Sequence, residues 1–391
     1  MVVKQIYELI NSVSGEVLGK TDIVKEDLTG VVDLGNEVFN QGAVDNYVKS
    51  LVNHIGKVVF VNRPYSGKIP SVLMDAWEFG SVLEKISAEI PEATENDTWN
   101  LTDGTEYKQD IFHKPVVSAK FFNSKVTFEV PVSITERQVK ESFSSAAQLN
   151  GFLSMIYSAV EKSMTIKTDA LIMRTINNMI GETLFADAAA FTPSSKPLDY
   201  ASASTVRCVN LLYLYNKAKG TKLTADKCLT DGDFIRFASY QMGLYADRLQ
   251  SISTLFNVGG KERFTPKDAL HTVLLSDFAK GAQAYLYADT YNKEQVLLPN
   301  AETVASWQGS GQDYGFAHTS AIDIKTSGNH EIKIGGVLGV MFDRDALGVC
   351  NLDKRVTTNY NAKAEFFNNY YKFDAGYFND TNENFVVFFV A

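Results

Sequence analysis

The feature that most constrains the fold is a long amphipathic pattern over residues 142–181. Apolar residues recur there at alternating spacings of three and four, the period of one helix face. Eight of the ten positions on this face are apolar, and the ten are Leu149, Phe152, Ile156, Ala159, Ser163, Ile166, Ala170, Met173, Asn177 and Ile180. No proline interrupts the pattern. The sequence therefore predicts one helix of about 37 residues, roughly 55 Å long and about three times the length of an average globular helix.

Both ends of this helix are marked in the sequence. Ser142, Ser144 and Ser145 are predicted N-caps, because a serine hydroxyl accepts a hydrogen bond from a free amide of the first turn. Gly181 is predicted to follow the last helical residue. A coiled-coil arm is the alternative interpretation of so long a helix, but few heptads match and Gly151 weakens the start of the pattern.

The residues before the helix are typical of an arm followed by a long excursion. Residues 1–50 mix short amphipathic pieces with Gly and Asp, and Val44–Ile55 is predicted to be a helix. No core pattern persists over Ser71–Asp110. Strands are predicted again at Val116–Phe122 and Lys125–Ser133, where apolar and polar residues alternate.

Within the excursion, Glu92–Asp110 is strongly acidic. This segment contains six acidic residues and one lysine, a net charge of −5, against −9 for the whole chain. A segment so polar is either solvated or meets a basic partner.

The part of the chain after the long helix alternates helical and extended patterns over about 140 residues, a normal domain size. Helices are predicted at Thr205–Lys219, Phe234–Leu249 and Asp277–Leu286, and strands at His271–Leu275 and Ile332–Phe342, the last being either one strand or two divided by glycines. The C-terminal strands are predicted at Val356–Phe367, Tyr370–Tyr377 and Asn384–Val390. The final apolar run is expected to close a sheet in the core, with the long helix as a packing partner of the last 45 residues.

Charge and hydropathy disfavour two classes of protein. The net charge of −9 disfavours a primary nucleic-acid-binding role, which usually requires a basic face. No segment reaches the roughly 18 apolar residues needed to span a membrane. The first residues lack the apolar core and cleavage site of a signal peptide, so synthesis in a cytoplasm is expected. The three cysteines show no CxxC spacing and are expected to be reduced thiols.

No catalytic, cofactor-binding or metal-binding residue is predicted. The five histidines include no pair at i, i+3 or i+4, so they are interpreted as surface or capping residues. The sequence has no GxSxG elbow, Walker A loop or GxGxxG fingerprint. Gly259-Gly260-Lys261 is interpreted as a turn rather than part of a phosphate loop, and Asp343 with Asp345 as a strand-to-turn transition rather than an acid–base pair.

The order of these elements resembles the Hong Kong 97 (HK97) fold of tailed-bacteriophage major capsid proteins. In that fold an N-arm and an extended E-loop precede a spine helix, an axial domain follows, and a peripheral sheet ends the chain. Two segments are similar to the major capsid proteins of short-tailed phages related to phi-29. They are Ala43–Ile86, and Gly335–Val390 with GVLGVMFDRDAL, FFNNYYKFDAGYF and NFVVFFV.

The resemblance implies an α+β fold with an N-arm, an extended β E-loop, a long spine helix, an α/β axial domain and a β-rich peripheral domain. The implied divisions are the N-terminal arm at 1–50, the E-loop region at 51–136, the spine helix and peripheral domain at 137–200, the axial domain at 201–344 and the peripheral-domain sheet at 345–391.

The resemblance also implies a function: self-assembly in hexamers and pentamers, with a separate scaffold and a portal, into an icosahedral shell enclosing a phage genome as non-specific content. In such shells the E-loop tip lies over a neighbouring subunit, so Trp99, Tyr107, Glu95 and Asp97 are expected inter-subunit contacts. Two alternatives stay open. One is an encapsulin-type nanocompartment shell, and the other is a soluble α+β enzyme whose site is assembled from distant residues.

Overall fold

The computed structural model describes residues 3–20, 72–74, 83–91, 100–106, 110–135, 146–191, 199–287, 300–308, 315–326 and 328–391, with a few single positions between them. The helices described are α1 (Val3–Leu18), α2 (Ala146–Ala186), α3 (Ala188–Phe191), α4 (Leu211–Lys219), α5 (Gly232–Arg248), α6 (Ser276–Tyr287) and α7 (Phe316–Thr319). The strands described are β1 (Leu73–Met74), β2 (Leu83–Ala88), β3 (Val117–Phe122), β4 (Lys125–Thr135), β5 (Cys208–Asn210), β6 (Leu270–Leu275), β7 (Ala301–Val304), β8 (Ile322–Lys325), β9 (Glu331–Ile334), β10 (Val337–Asp343), β11 (Leu347–Asn361), β12 (Phe366–Asn379) and β13 (Phe385–Phe389).

The chain forms two compact units. The first comprises Met1–Ala76, Lys125–Arg174 and Val349–Gly376. The second comprises Trp77–Ser124, Thr175–Gly348 and Tyr377–Ala391.

A four-stranded sheet in the order β1–β11–β12–β4 forms much of the first unit. Strand β12 runs antiparallel to β4, from Phe366 opposite Thr135 to Gly376 opposite Lys125. Alternation places apolar side chains of both strands on one face, where the rings of Phe128 and Phe373 lie 5.0 Å apart. The opposite face is polar, with exposed cross-strand pairs that include Lys372 and Glu129 at 3.3 Å.

The second unit is built on a five-stranded sheet in the order β5–β13–β10–β6–β7. Strand β10 is antiparallel to both β13 and β6, and every residue of β13 is buried. Helices α4, α5 and α6 pack on this sheet through a shared apolar cluster that includes Phe234, Met242, Phe278 and Phe388. The prediction that the final apolar run closes a core sheet is therefore confirmed.

The predicted division that assigned all of 345–391 to one peripheral sheet is wrong for its last strand. Strand β13 pairs with β10 and β5 in the five-stranded sheet, whereas β11 and β12 belong to the four-stranded sheet. Strand β4, which lies within the predicted E-loop region of 51–136, pairs with β12 in the four-stranded sheet. An apolar alternation shows that a strand is buried but does not show which of two sheets it joins.

Two local predictions after the long helix are also corrected. Residues Cys208–Asn210, predicted as the start of a helix, form a strand because they pair with Val387–Phe389. Helix α4 begins only after Asn210, whose side chain accepts a hydrogen bond from the Tyr213 amide at 3.0 Å. The turn between β11 and β12 lies before Phe366, where Glu365 has a φ of 52°, and not at the predicted 368–369.

The helices α5 and α6 and strand β6 lie within about two residues of their predicted positions. The apolar run Ile332–Phe342 is two strands, divided at Gly335 and Gly336. Gly336 has a φ of 73°, and a Cβ there would run into the carbonyl oxygen of Val390. The glycine is therefore required for this turn between β9 and β10.

The long helix α2 is confirmed, but Gly181 does not end it. The helix continues to Ala186, and Gly181 is buried inside it. A Cβ at position 181 would collide with Ile324 Cδ1 of strand β8, so the glycine allows close packing instead of ending the helix. The predicted N-caps Ser142, Ser144 and Ser145 lie outside the described residues, as does most of Val44–Ile55.

The buried face of α2 also differs from the predicted one. Ile156 is 4% exposed, but Ile166, predicted on the same face, is 64% exposed. From Ile156 the buried positions follow a spacing of four, through Val160, Met164 and Thr168. A spacing of four moves the contact stripe about 40° around a helix at each step, so it departs from the straighter face predicted by alternating threes and fours.

Candidate assembly surface

Strands β2 and β3 form an antiparallel ribbon, hereafter the hairpin, in the second unit. Its six residue pairs run from Leu83 opposite Phe122 to Ala88 opposite Val117. The pairing continues past the strands, because the Glu89 amide donates to the Val116 carbonyl at 2.9 Å. Directly opposed residues of an antiparallel pair lie on the same face, so the register defines the two faces of the hairpin.

One face of the hairpin is polar near its middle. Lys85 lies opposite Lys120, and Ser87 lies opposite Ser118, with their hydroxyl oxygens 3.0 Å apart. The lysines on this face contact carboxylates of the same unit. We call this the anchored face.

The other face is largely apolar, and we call it the outer face. Its members are Glu84, Ile86, Ala88, Val117, Ala119 and Phe121. Ile86, Val117 and Phe121 are 65%, 57% and 63% exposed. A sheet that covers its own core normally turns apolar side chains inward and polar ones to solvent. The hairpin does the reverse.

A cluster of five charged side chains holds the anchored face. Lys85 Nζ lies 2.9 Å from Asp380 Oδ2 and 2.7 Å from Glu383 Oε1. Lys120 Nζ lies 2.9 Å from Asp380 Oδ1, and Arg263 Nε lies 3.3 Å from Glu383 Oε1. Asp380 is only 2% exposed, so this carboxylate needs its two lysine partners to offset the cost of burial. We call these residues the anchor cluster.

The pKa values of the cluster follow from this geometry. Burial acts to raise the pKa of Asp380, but hydrogen bonds from Lys120 and Lys85 outweigh it and hold the pKa below the usual range. Burial acts to lower the pKa of Lys85, but hydrogen bonds to Glu383 and Asp380 raise it above its ordinary value. Asp380 and Lys85 are therefore both charged near neutral pH.

Two further contacts join the hairpin to the same unit. Lys261 Nζ lies 2.8 Å from Glu89 Oε1, and the rings of Phe122 and Phe378 are 5.1 Å apart. Lys261 belongs to a turn closed by Asn257, whose Oδ1 accepts from the Lys261 amide at 2.8 Å and whose Nδ2 donates to the Lys261 carbonyl at 2.7 Å. The interpretation of Gly259-Gly260-Lys261 as a turn is therefore confirmed.

Exposed apolar side chains continue from the outer face into the connection between the strands. They are Ile90, Leu101, Ile111, Phe112 and Val116, of which Phe112 is 86% exposed. Half of the large apolar residues that are mainly exposed in the described part of the chain lie between positions 86 and 121. Single exposed apolar residues are ordinary, but a concentration of them marks an interaction surface.

The described residues include neither a metal site nor a membrane span. Among them no group of three or more His, Cys, Asp or Glu side chains could hold a metal ion, and no described helix is long and apolar enough to cross a membrane. His271, interpreted from sequence as a surface or capping residue, is instead a buried residue of β6, and burial lowers its pKa. Asp343 and Asp345 form the predicted turn, in which the Asp345 amide donates to Asp343 Oδ1 at 2.9 Å.

Comparison with known proteins gives a family. The model of the Phi29-like phage major capsid protein family matches residues 8–389, nearly the whole chain. The chain belongs to this family. No curated protein sequence matches the capsid protein.

Solved structures of phage capsids are similar to this chain. A chain in the capsid structure of Staphylococcus phage Andhra is 10% identical, with a TM-score of 0.50 over 84% of this chain and 86% of that chain. A chain in the capsid structure of the cyanophage P-SCSP1u is also 10% identical, with a TM-score of 0.43 over 85% of this chain and 90% of that chain. The likeness to the Andhra chain indicates a shared fold, and the capsid protein has an α+β fold of the HK97 type.

The family membership also gives the function in outline. The capsid protein is a virion component that associates with copies of itself to form the phage shell. Neither an encapsulin compartment nor an enzyme is supported by these comparisons.

Of the four side chains expected to contact a neighbour, the structure describes only Glu95, which is exposed. Asp97, Trp99 and Tyr107 lie outside the described residues. Sequence reasoning missed the outer face because β2 was not recognised as a strand. Apolar and polar residues alternate in LEKISA, and the same is partly true of VSAKFF. The apolar outer face can be recognised only when the two segments are paired in register.

Proposed function

We propose that the hairpin is the E-loop of this capsid protein, and that its outer face packs against a neighbouring subunit in the shell. The single observation that carries the proposal is the reversed arrangement of its side chains. The charged face lies on its own subunit, while Ile86, Val117 and Phe121 point to solvent. Full burial of such side chains contributes about 1.5–3 kcal/mol each before ordering costs, and a shell repeats the contact in every subunit.

The acidic segment Glu92–Asp110 supplies the second part of this contact. Its net charge of −5 favours a basic surface on the neighbour, since like charges across an interface cost stability. Glu95, Asp97, Trp99 and Tyr107 are the residues proposed to contact that surface.

The same reading assigns roles to the two sheets. The five-stranded sheet and helices α4, α5 and α6 form the axial domain, and the four-stranded sheet forms the peripheral domain. Hexamers and pentamers build the shell around DNA that is held as non-specific content, and the subunit performs no catalysis. Assembly with a separate scaffold and a portal is part of the same proposal, as the family membership suggests.

The proposal is tested by making the outer face polar. Ile86→Ser with Phe121→Ser should leave the subunit folded, because both side chains are already exposed in it. Shell yield on co-expression with the scaffold should fall at least tenfold, because a loss of about 1.4 kcal/mol already lowers the association constant of one contact tenfold and every subunit repeats the contact. Gradient sedimentation and particle counts by negative-stain microscopy measure this yield.

A matched control uses the same residue types elsewhere in the second unit. Ile252 and Phe264 are also exposed but lie outside the hairpin, so Ile252→Ser with Phe264→Ser should assemble as the native protein does. Equal shell yields for the hairpin variant and the native protein would show that the outer face makes no essential contact.

A further inference from the structure

The direction of the hairpin depends on the few contacts that attach it to the rest of its unit. Six residues of β-strand span about 20 Å, so a tilt of about 20° at the attached end moves the other end by about 7 Å. That displacement exceeds the roughly 4.8 Å spacing between neighbouring strands, and the outer face would then meet a different part of a neighbour. Accurate docking therefore requires the attachment to fix the tilt.

The anchor cluster has the geometry to fix it. Asp380 accepts Lys85 on one oxygen and Lys120 on the other, so one buried carboxylate spans both strands of the hairpin. Two donors on two strands define a direction, which a single ion pair does not. Glu383 then joins Lys85 to Arg263, which lies beside the Lys261 turn.

The same geometry makes the carboxylates indispensable. Lys85 and Lys120 are directly opposed in register, where Cβ atoms are about 5 Å apart and like charges repel. Without Asp380 and Glu383, the two lysines of the anchored face and Arg263 of the same unit would be three neighbouring cations with no carboxylate between them. The ring contact between Phe122 and Phe378 is the one apolar ring pair recorded between the hairpin and the rest of its unit among the described residues.

We infer that Lys85, Lys120, Arg263, Asp380 and Glu383 act as positioning residues for assembly, setting the direction of the hairpin before subunits meet. The inference rests on the proposed function of the hairpin as an inter-subunit contact. Beyond that function, it gives a cause for the orientation of the hairpin. The cause is a charge cluster formed by residues up to 298 positions apart in the chain.

The orientation can be measured in the unassembled subunit by electron–electron spin resonance. Spin labels on Val117→Cys and Tyr240→Cys report the distance between the hairpin and helix α5, because both positions are exposed and the three native cysteines are buried. The native cluster should give one narrow distance distribution. Asp380→Asn with Glu383→Gln should broaden it by about 7 Å, the spread that a tilt of about 20° produces.

Three variants serve as comparisons. Lys114→Met removes a lysine that lies in the connection of the hairpin and outside the cluster, and should leave the distribution narrow. Lys120→Gln removes only the most exposed lysine of the cluster, so it keeps the test open if the double variant does not fold, and it should also broaden the distribution. Lys120→Arg keeps the charge and should restore both the narrow distribution and regular shells.

A distribution as narrow in the carboxylate and Lys120→Gln variants as in Lys114→Met would overturn the inference. The backbone, the Phe122 ring and the ion pair of Lys261 with Glu89 would then suffice to orient the hairpin. This readout does not require assembly. If the cluster variants broaden the distribution while Ile86→Ser with Phe121→Ser still builds shells, the cluster orients the hairpin and the proposed contact is the part that fails.

Discussion

At the scale of single residues, matching side chains have opposite environments on the long helix. Ile156 and Ile166 fall on one face in the predicted pattern, yet the first is buried and the second is mainly exposed in the subunit. The apolar pattern alone could not distinguish the buried isoleucine from the exposed one. The pattern contains more apolar positions than the rest of the subunit buries. Gly181 likewise looked like a stop signal but proves to be a point of close approach by Ile324.

The two isoleucines provide a matched pair of substitutions. Ile156→Asp should destabilise the subunit by about 3–5 kcal/mol, through lost burial and an unpaired buried charge, and should yield mostly insoluble protein. Ile166→Asp should change the free energy of unfolding by less than about 0.5 kcal/mol in the unassembled subunit. Urea unfolding of both variants measures the difference. A comparable loss of unfolding free energy in the two variants would mean that the buried stripe of α2 is misassigned.

Asp380 is the residue whose ionisation should govern the anchor cluster. Its pKa lies below the ordinary value of about 3.9, so its contribution to stability is present above that pH and is lost as the pH falls through the lower folded pKa. The native protein should therefore exceed Asp380→Asn in stability by a constant amount, on the order of 3 kcal/mol, at pH 5–8. The difference should shrink below about pH 4. Chemical unfolding at a series of pH values checks this, and a difference that already declines between pH 7 and pH 5 would contradict it.

At the scale of elements, the sequence predicted what local periodicity determines. The 41-residue helix α2, the helix α5 and the buried strands β6 and β13 follow from helical spacing, alternation and apolar runs. What it could not predict depends on pairing between distant segments. The anchor cluster joins Lys85 to Glu383, 298 residues away, and no local pattern marks either residue. The outer face was hidden for the same reason, since β2 and β3 are separated by 28 residues of connection.

The acidic connection of the hairpin gives a prediction at this scale. Replacing residues 92–110 with a short Gly/Ser linker should leave the melting temperature of the subunit nearly unchanged, because the described residues of this segment are exposed. It should reduce shell yield or shell stability, most clearly at low salt, where rim contacts of about 0–1 kcal/mol each are least screened. A thermal melt and a particle count decide between the outcomes. A large fall in the melting temperature would show that the segment belongs to the core. Shells of unchanged yield and stability would show that it makes no contact with a neighbour.

At the scale of the whole molecule, each unit has a buried core, whereas part of the described surface is apolar and exposed. Both sheets have buried apolar faces of their own, while the hairpin carries its apolar residues outward. Among the described residues, the charge cluster holds the anchored face on its own unit and the outer face stays exposed. If the outer face makes the proposed contact, further copies of the capsid protein cover it in the shell, and the geometry of the hairpin then agrees with the family membership.

The most direct test of this account is a cryo-electron microscopy reconstruction of shells formed by the protein with its scaffold. We expect closed shells in which Ile86, Val117 and Phe121 are buried against a neighbouring subunit, while Lys85 and Lys120 keep their contacts with Asp380 within their own subunit. Shells in which the outer face remains open to solvent, or folds back onto its own subunit, would contradict it.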